Sequence, residues 1–416
     1  MEKLFITELE IIDVRHLQNI CIPLSKDKMK HLILTGKNGS GKTSVLEFLN
    51  DYFINLVWEN NLDLTKSENI KKLMQEIDDN SQKEASKEEE KLLRRVRLYF
   101  KKIANYGKHI DANFNYTPDI WERVFEKSGF VLAYYGADRR FQPERPEHIE
   151  KVQLKEFYDT TEGPRTEFVK YLLDLKMTEA LAVTNGKKEK AEEIKLWFLK
   201  LEELLQQIFE EKELRLVFDE EKFQFHIEEK GHCPFGFDTL SSGYGAVLDI
   251  VADLMMRMVK VSDKSFSFHQ PGIVLIDEIE THLHLEMQKN IMSLLTTVFP
   301  NIQFIVTTHS PFILNSLNDA VIYDLENHVL VENGLANVPY QGIVEGYFNV
   351  EGMSKMLTDK FNSYKSIVQK EELTDTDFAD AAKLEMFLDE IPDYLALDIA
   401  AEYRRLKLEF ENREDC

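Results

Sequence analysis

The 416-residue chain carries 74 acidic against 51 basic side chains, a formal net charge of −23, with 43% hydrophobic and 30% charged residues. That balance excludes wholesale disorder and disfavours generic attraction to nucleic-acid phosphates, which needs an excess of positive charge. At this length, one large domain with insertions or two domains are expected.

The longest apolar runs fall far short of the roughly 20 residues that span a bilayer. Met1 leads at once into a strand-like Glu2–Ile6, so neither a signal region nor a membrane span is expected and the location is expected to be cytoplasmic. Cys21, Cys233 and Cys416 are far apart and lack CxxC spacing, which points to neither a disulfide framework nor a zinc site.

In chain order, Leu4–Leu24 alternates and is rich in β-branched residues, as a hairpin or meander would be. The buried-strand run His31–Thr35 leads directly into Gly36-Lys37-Asn38-Gly39-Ser40-Gly41-Lys42-Thr43, and Ser44–Leu49 then has helical spacing. From about Leu62 to Tyr106 the sequence is charge-dense and poor in glycine, which reads as an inserted solvated helix. It contains the one patch suited to nucleic acid: Arg94, Arg95, Arg97, Lys101 and Lys102 with Tyr99 and Phe100. Phe130–Tyr135 reads as a second buried strand, followed by Asp138-Arg139-Arg140, and a helical region is expected from about Leu154 to Ile208.

Strands are expected at Leu214–Phe218 and Phe223–Ile227, then a Thr-Leu-Ser-Ser-Gly-Tyr-Gly turn and a helix over Ala246–Val259. Gly272–Ile276 and Gln303–Thr307 are buried-strand candidates separated by the helical Leu285–Val298. Strand character is expected to end after Val321–Asp324, and an acidic, helix-patterned region follows from about Ser354 to Glu414. The expected organisation is thus 1–60, 61–210 (helical, with a core strand near 130–135), 211–330 and an acidic helical 331–416.

Three stretches carry chemistry. GKNGSGKT satisfies the GxxxxGK[ST] pattern with a strand before it and a helix after it. Its glycines let backbone N–H groups turn inward around phosphate oxygens, Lys42 can reach the β- and γ-phosphates, and Thr43 can ligate magnesium. GIVLIDEIE ends a buried strand in adjacent carboxylates: Asp277 can hold a magnesium shell, and Glu278 can orient the attacking water. FIVTTHSPFIL ends another buried strand at His309, which is placed to meet a γ-phosphate or the water.

GKNGSGKT, LSSGYG, VLIDEIETHLH and FIVTTHSP, in that order, resemble the ABC-type ATPases, within the soluble branch that includes RecF, the SMC proteins and the OLD-type ATPases. The match covers about residues 1–55 and 236–325. The resemblance implies an α/β P-loop NTPase head, a mixed sheet flanked by helices, with helical insertions and a helical C-terminal tail. It implies ATP and Mg2+, with Gly36 to Ser44 around the phosphates, Thr43 and Asp277 at the metal, and Lys42, Glu278 and His309 at the chemistry. In this family ATP is sandwiched between the phosphate loop of one subunit and the signature loop of another, here Ser241, Ser242 and Gly243, so a homodimer or higher even-numbered oligomer is implied. Glu280–His284 falls where the family has its D-loop.

Two departures stand out. Tyr244 replaces the glutamine that usually ends the signature, and the family's glutamine-bearing loop is represented by Gln142 on position alone. Asp138-Arg139-Arg140 either contributes near the phosphates or forms a surface ion pair. Soluble ATPases of this look occur in bacterial anti-phage defence systems beside a separately encoded nuclease or toxin, which is the partner the resemblance implies. The alternative is a DNA-repair ATPase that binds DNA directly through the basic patch. The sequence after His309 has no strand-rich, acid-bearing nuclease pattern, so a built-in nuclease is not expected.

Overall fold

The apolar runs meet edge to edge in the computed structural model, which describes residues 3–59, 109–115, 130–144, 148, 150–155, 157–160, 162–259, 268–336, 338, 343, 355–370, 373–389 and 397–411. The chain forms β1 (Ile6–Val14), β2 (Leu17–Pro23), β3 (His31–Thr35), α1 (Lys42–Glu59), β4 (Ile110–Phe114) and β5 (Val131–Tyr135). A single 3-10 turn (Pro164–Glu167) then leads into α2 (Phe168–Thr184), α3 (Lys188–Phe209), β6 (Arg215–Asp219), β7 (Gln224–Glu228) and α4 (Ser242–Met258). After these come β8 (Gly272–Ile276), α5 (Leu285–Val298), β9 (Ile302–Thr307), the short α6 (Pro311–Leu314), β10 (Ala320–Asp324) and β11 (Val329–Val331). The chain divides into two compact units, Met1–Asn337 and Val338–Cys416.

In the first unit the main sheet runs β11-β10-β3-β9-β8-β5, parallel except for β11. Every residue of β3, β8, β9 and β10 is buried, which is why these strands are mostly apolar and do not alternate. β1 and β2 form the expected hairpin, and β4 completes a three-stranded antiparallel sheet in the order β2-β1-β4. Leu9 and Ile22 of the hairpin, Leu34 of β3, Leu46 of α1 and Ile305 of β9 are fully buried in one cluster, so the two sheets and α1 share a core. With its mixed sheet and flanking helices, this is an α/β P-loop NTPase fold.

Gln303 ties the two sheets together at a place where an apolar residue would be expected. Its Oε1 accepts from Ile6 N at 2.7 Å, and its Nε2 donates to Ile6 O at 3.0 Å and to Lys30 O at 2.8 Å. The amide is fully buried and hydrogen-bonds three backbone groups at once.

The second unit holds α7 (Lys355–Val368), α8 (Asp375–Asp389) and α9 (Leu397–Glu411), as the helical pattern of the tail predicts. Phe361, Tyr364, Ile367, Ala381, Leu388, Tyr403 and Leu406 form its core. The Tyr364 hydroxyl donates to Glu385 Oε1 at 2.6 Å, so the aromatic body is buried while its polar end is satisfied.

The structure departs from the sequence reading at three boundaries. Helix begins at Pro164 rather than near Leu154, since a proline suits the first position of a helix whereas the described residues of 154–163 are non-helical. The helix expected from Ala246 begins at Ser242, which puts the end of the signature motif inside its first turn. A short strand, β11, follows Asp324, its turn made possible by His328 at a φ of 55°. The inserted helix at 62–106 and its basic patch, including Arg94, Arg95, Arg97, Lys101 and Lys102, lie outside the described residues. No helix among the described residues is long and apolar enough to cross a membrane.

Candidate functional site

The sheet order decides which loops meet. The parallel β3, β9, β8 and β5 are neighbours, so their C-terminal ends open onto one edge, where parallel α/β sheets place ligands. Gly36-to-Thr43 leaves β3 there and enters α1 at Lys42. Gly36 and Gly41 adopt φ of 135° and 96°, and a Cβ at Gly41 would stand 2.9 Å from Leu17 Cδ1, so neither position accepts a side chain without strain. Lys37, Asn38 and Gly39 are exposed at the tip, whereas Ser40 and Ser44 are buried. Lys42 Nζ donates to Gly36 O at 2.9 Å and to Lys37 O at 3.1 Å, which folds the ammonium back over the loop. Burial lowers its pKa, and the carboxylates of Glu278, Glu280, Asp277 and Asp324 oppose that shift.

At the end of β8 the Thr43 hydroxyl donates to Asp277 Oδ2 at 2.9 Å, and Thr307 of β9 donates to Asp277 Oδ1 at 2.6 Å. The Thr307 oxygen in turn accepts from Glu278 N at 2.7 Å. The start of α1 and the ends of β8 and β9 are therefore laced through one carboxylate. Glu278 sits at a φ of 44°, a left-handed conformation that costs a non-glycine residue about 1–3 kcal/mol unless its surroundings hold it. Its Oε2 accepts from Thr281 Oγ1 at 3.1 Å.

His309 follows β9, and its backbone N–H donates to Glu280 Oε1. Burial, followed by the positive charge of Lys42, lowers the imidazole pKa against the pull of Glu280, Glu278 and Asp277, so the ring is neutral at neutral pH. Lys42, Thr43, Asp277, Glu278 and His309 are thus brought together from α1, the end of β8 and the end of β9.

Ser241 and Ser242 are exposed at the start of α4, and Ser241, the N-cap residue, leaves its hydroxyl unused as a cap. Among the described residues no hydrogen bond joins them to the phosphate loop of the same chain. Gly243 is buried against the next loop, where a Cβ would come within 3.0 Å of His282 O. Tyr244, the departure from the family's glutamine, stacks on Phe209 of α3 with ring centroids 4.1 Å apart and meets His284 edge-on at 6.3 Å. His284 caps α5 by accepting from Met287 N at 3.2 Å, so the aromatic at 244 locks the signature turn to α3 and to the start of α5.

Arg139 corrects a sequence expectation. It is 3% exposed, which removes the surface ion pair left open for it, and among the described residues it donates to main-chain carbonyls alone: Gly136, Asp277, Glu278 and Ile279. Arg140 is the exposed member of the pair and lies 3.3 Å from Asp138. Gln142 is exposed in the loop after β5.

Sequence reading also missed a buried charge cluster. Arg257 Nε donates to Asp253 Oδ2 at 2.6 Å, Tyr135 OH donates to the same oxygen at 2.7 Å, and Arg165 Nε lies 2.6 Å from Asp249 Oδ1. Burial outweighs the neighbouring Arg165 and pushes Asp249 up to about 6. The signal lay in VLDIVADLMMRM, where Asp249, Asp253 and Arg257 recur every four residues along an otherwise apolar helix.

The phosphate loop, the parallel sheet and the carboxylates at its C-terminal edge define a P-loop NTPase of the ABC-like ATPase class. Residues 32–315, more than half the chain, match the family described as "AAA domain, putative AbiEii toxin, Type IV TA system", and the chain belongs to that family. It is 32% identical over 156 residues to "Retron Ec83 probable ATPase" of Escherichia coli, covering 36% of this chain and 29% of that protein. It is 40% identical over 140 residues to "Septu protein PtuA" of Bacillus mycoides strain KBAB4, covering 33% of this chain and 18% of that protein. The matched part spans under a third of the length of either relative. Among solved structures, an SMC head bound to the C-terminal winged-helix domain of ScpA covers 80% of this chain and 98% of that one, at 13% identity and a TM-score of 0.37, a likeness too weak to bear on function.

Proposed function

We propose that this chain binds ATP between the phosphate loop of one subunit and the Ser241–Gly243 loop of a second, hydrolyses it, and so forms an ATP-gated dimer. The hydrogen-bonded set Thr43–Asp277–Thr307–Glu278 carries this reading, because it holds a hydroxyl, a metal-type carboxylate and a second carboxylate in register beside Lys42. A hydroxyl and a carboxylate facing each other are hard oxygen donors of the kind Mg2+ takes, so Thr43 and Asp277 fit that ion. When bound, the ion would supply positive charge that offsets the charge of the phosphates.

The chain's own groups do the rest. Lys42, freed from the carbonyls of Gly36 and Lys37, transfers its three donors to phosphate oxygens. Glu278 orients the water whose oxygen attacks the γ-phosphorus as the bond to the β-phosphate oxygen breaks, and it accepts the proton that the water loses. Neutral His309 stands ready to hydrogen-bond that oxygen or the γ-phosphate. Ser241 and Ser242, exposed at the N-terminus of α4, offer hydroxyl and backbone donors to the γ-phosphate bound on the other subunit.

The dimer is proposed to act through a separately encoded effector protein, a nuclease or toxin, in bacterial anti-phage defence. The retron and Septu names of its relatives support that setting. Phosphate release with ATP and magnesium tests the chemistry. Wild-type protein is expected to turn over, Lys42→Ala to lose about 100-fold or more, and Glu278→Gln to bind ATP while turning over at least about 100-fold more slowly. Wild-type turnover by either variant contradicts the assignment. Affinity purification of Glu278→Gln from its host with ATP tests the partner: a stoichiometric protein supports the effector reading, and DNA without one moves the chain to the direct DNA-binding class.

A further inference from the structure

We propose that Arg139 is the positioning residue for hydrolysis, acting by gripping the two peptide groups that flank Glu278. The inference rests on the reading of Glu278 as the carboxylate that orients water.

The backbone φ of Glu278 turns on the peptide that joins it to Asp277, and its ψ on the peptide that joins it to Ile279. Both peptides are held. The first gives its carbonyl, Asp277 O, to Arg139 Nη1 at 2.6 Å, and its N–H, Glu278 N, to Thr307 Oγ1 at 2.7 Å. The second gives its carbonyl, Glu278 O, to Arg139 Nη2 at 2.8 Å and to Thr281 N at 2.9 Å, and its N–H, Ile279 N, to Thr307 O at 3.1 Å. Two further bonds, to Gly136 O at 2.8 Å and Ile279 O at 3.3 Å, anchor the guanidinium to the loop after β5 and to the next peptide.

A φ of 44° at a glutamate persists only where the surroundings over-determine it, and here Arg139 holds the carbonyls of both flanking peptides while Thr307 holds both N–H groups. The fork also explains why an arginine should be buried with no carboxylate among the described residues in direct contact. Its charge lies among the carboxylates of Asp249, Glu280, Asp277 and Glu278, while its N–H groups are spent on carbonyls. Lysine, with a single ammonium, cannot span carbonyls of three consecutive residues in this geometry. Without the fork the peptide at 278 relaxes out of the left-handed region and carries the carboxylate away from the water it must meet.

The test compares steady-state hydrolysis with equilibrium ATP binding in Arg139→Ala, Arg139→Lys, Arg140→Ala and Glu278→Gln. In Arg139→Ala kcat is expected to fall about 100-fold or more while ATP affinity stays within about threefold, as for a misplaced catalytic group. Low-millimolar guanidinium ion is expected to restore at least about tenfold of that loss by refilling the carbonyl cage. Arg139→Lys keeps the buried charge and the methylene stem, is expected to stay at least about tenfold below wild type, and decides the matter where the alanine variant does not fold. Arg140→Ala is expected to match wild type. Turnover by folded Arg139→Ala or Arg139→Lys within about threefold of wild type overturns the inference, as does a loss of ATP affinity equal to the loss of turnover. Glu278→Gln reports on the underlying reading: wild-type turnover there overturns the role of Glu278 and this inference with it, whereas its loss beside wild-type-like Arg139 variants overturns the inference alone.

Discussion

The hydroxyl of Thr43 donates to Oδ2 of Asp277 at 2.9 Å, joining segments 234 residues apart in the chain. The join is a consequence of sheet order. β9 lies between β3 and β8, and its Thr307 reaches the other oxygen of Asp277 at 2.6 Å, so the carboxylate is fixed by hydroxyls from α1 and β9. This preorganisation is what a phosphoryl-transfer site requires, since positioning and charge compensation supply most of the rate.

If the phosphate loop works with the signature of another subunit, two inactive chains can repair each other. Ser241→Arg spoils the signature and Lys42→Ala the phosphate loop, so each protein alone is expected to be inactive. An equimolar mixture pairs an intact loop with an intact signature in one site of each mixed dimer. Half the dimers are mixed, so recovery is expected to reach at most about one quarter of wild-type turnover per chain. A mixture as inactive as its components places both loops in the same chain.

Gln303→Leu keeps the side-chain volume but leaves Ile6 N, Ile6 O and Lys30 O without a partner. Each orphaned buried group costs about 1–3 kcal/mol, so destabilisation of about 3 kcal/mol or more is expected by chemical denaturation. A loss under about 1 kcal/mol would show that water or another group satisfies them.

Burial drives His31 down to about 4, against a weaker opposing pull from Asp319, and its Nδ1 accepts from Phe304 N at 3.1 Å. The ring is neutral when folded and gains a proton more readily when unfolded. Its contribution is therefore complete above about pH 6.5 and is lost as pH falls from there towards 4. Between pH 7 and 4.5 the wild-type chain is expected to lose about 2–3 kcal/mol more than His31→Gln. Equal losses in the two proteins would show that the ring takes up its proton without unfolding.

Much of this was legible in the sequence because it rests on local rules. GIVLI is apolar throughout and IQFIVT nearly so, with every residue buried as in strands covered on both faces, and GKNGSGKT has a strand before it and a helix after it. What escaped depends on tertiary context. DRR after a strand looks like a solvated turn, and only the packed structure shows Arg139 turned inward while Arg140 faces out. Gln303 opens an apolar strand as an ordinary polar residue would, and its role appears only when β1 is laid beside it. Tyr244 read only as a departure from the family's glutamine, and its ring packs on Phe209, a partner 35 positions earlier that no local pattern connects to it.

The central claim is that ATP bound at this site joins two chains. The most direct measurement is the solution mass of Glu278→Gln by light scattering coupled to size exclusion, with and without ATP and magnesium, alongside a binding assay for ATP. A mass of one chain without nucleotide that doubles when ATP is bound, and does not double in Ser241→Arg combined with Glu278→Gln, is the predicted result. A mass that stays unchanged while ATP is demonstrably bound would contradict the account.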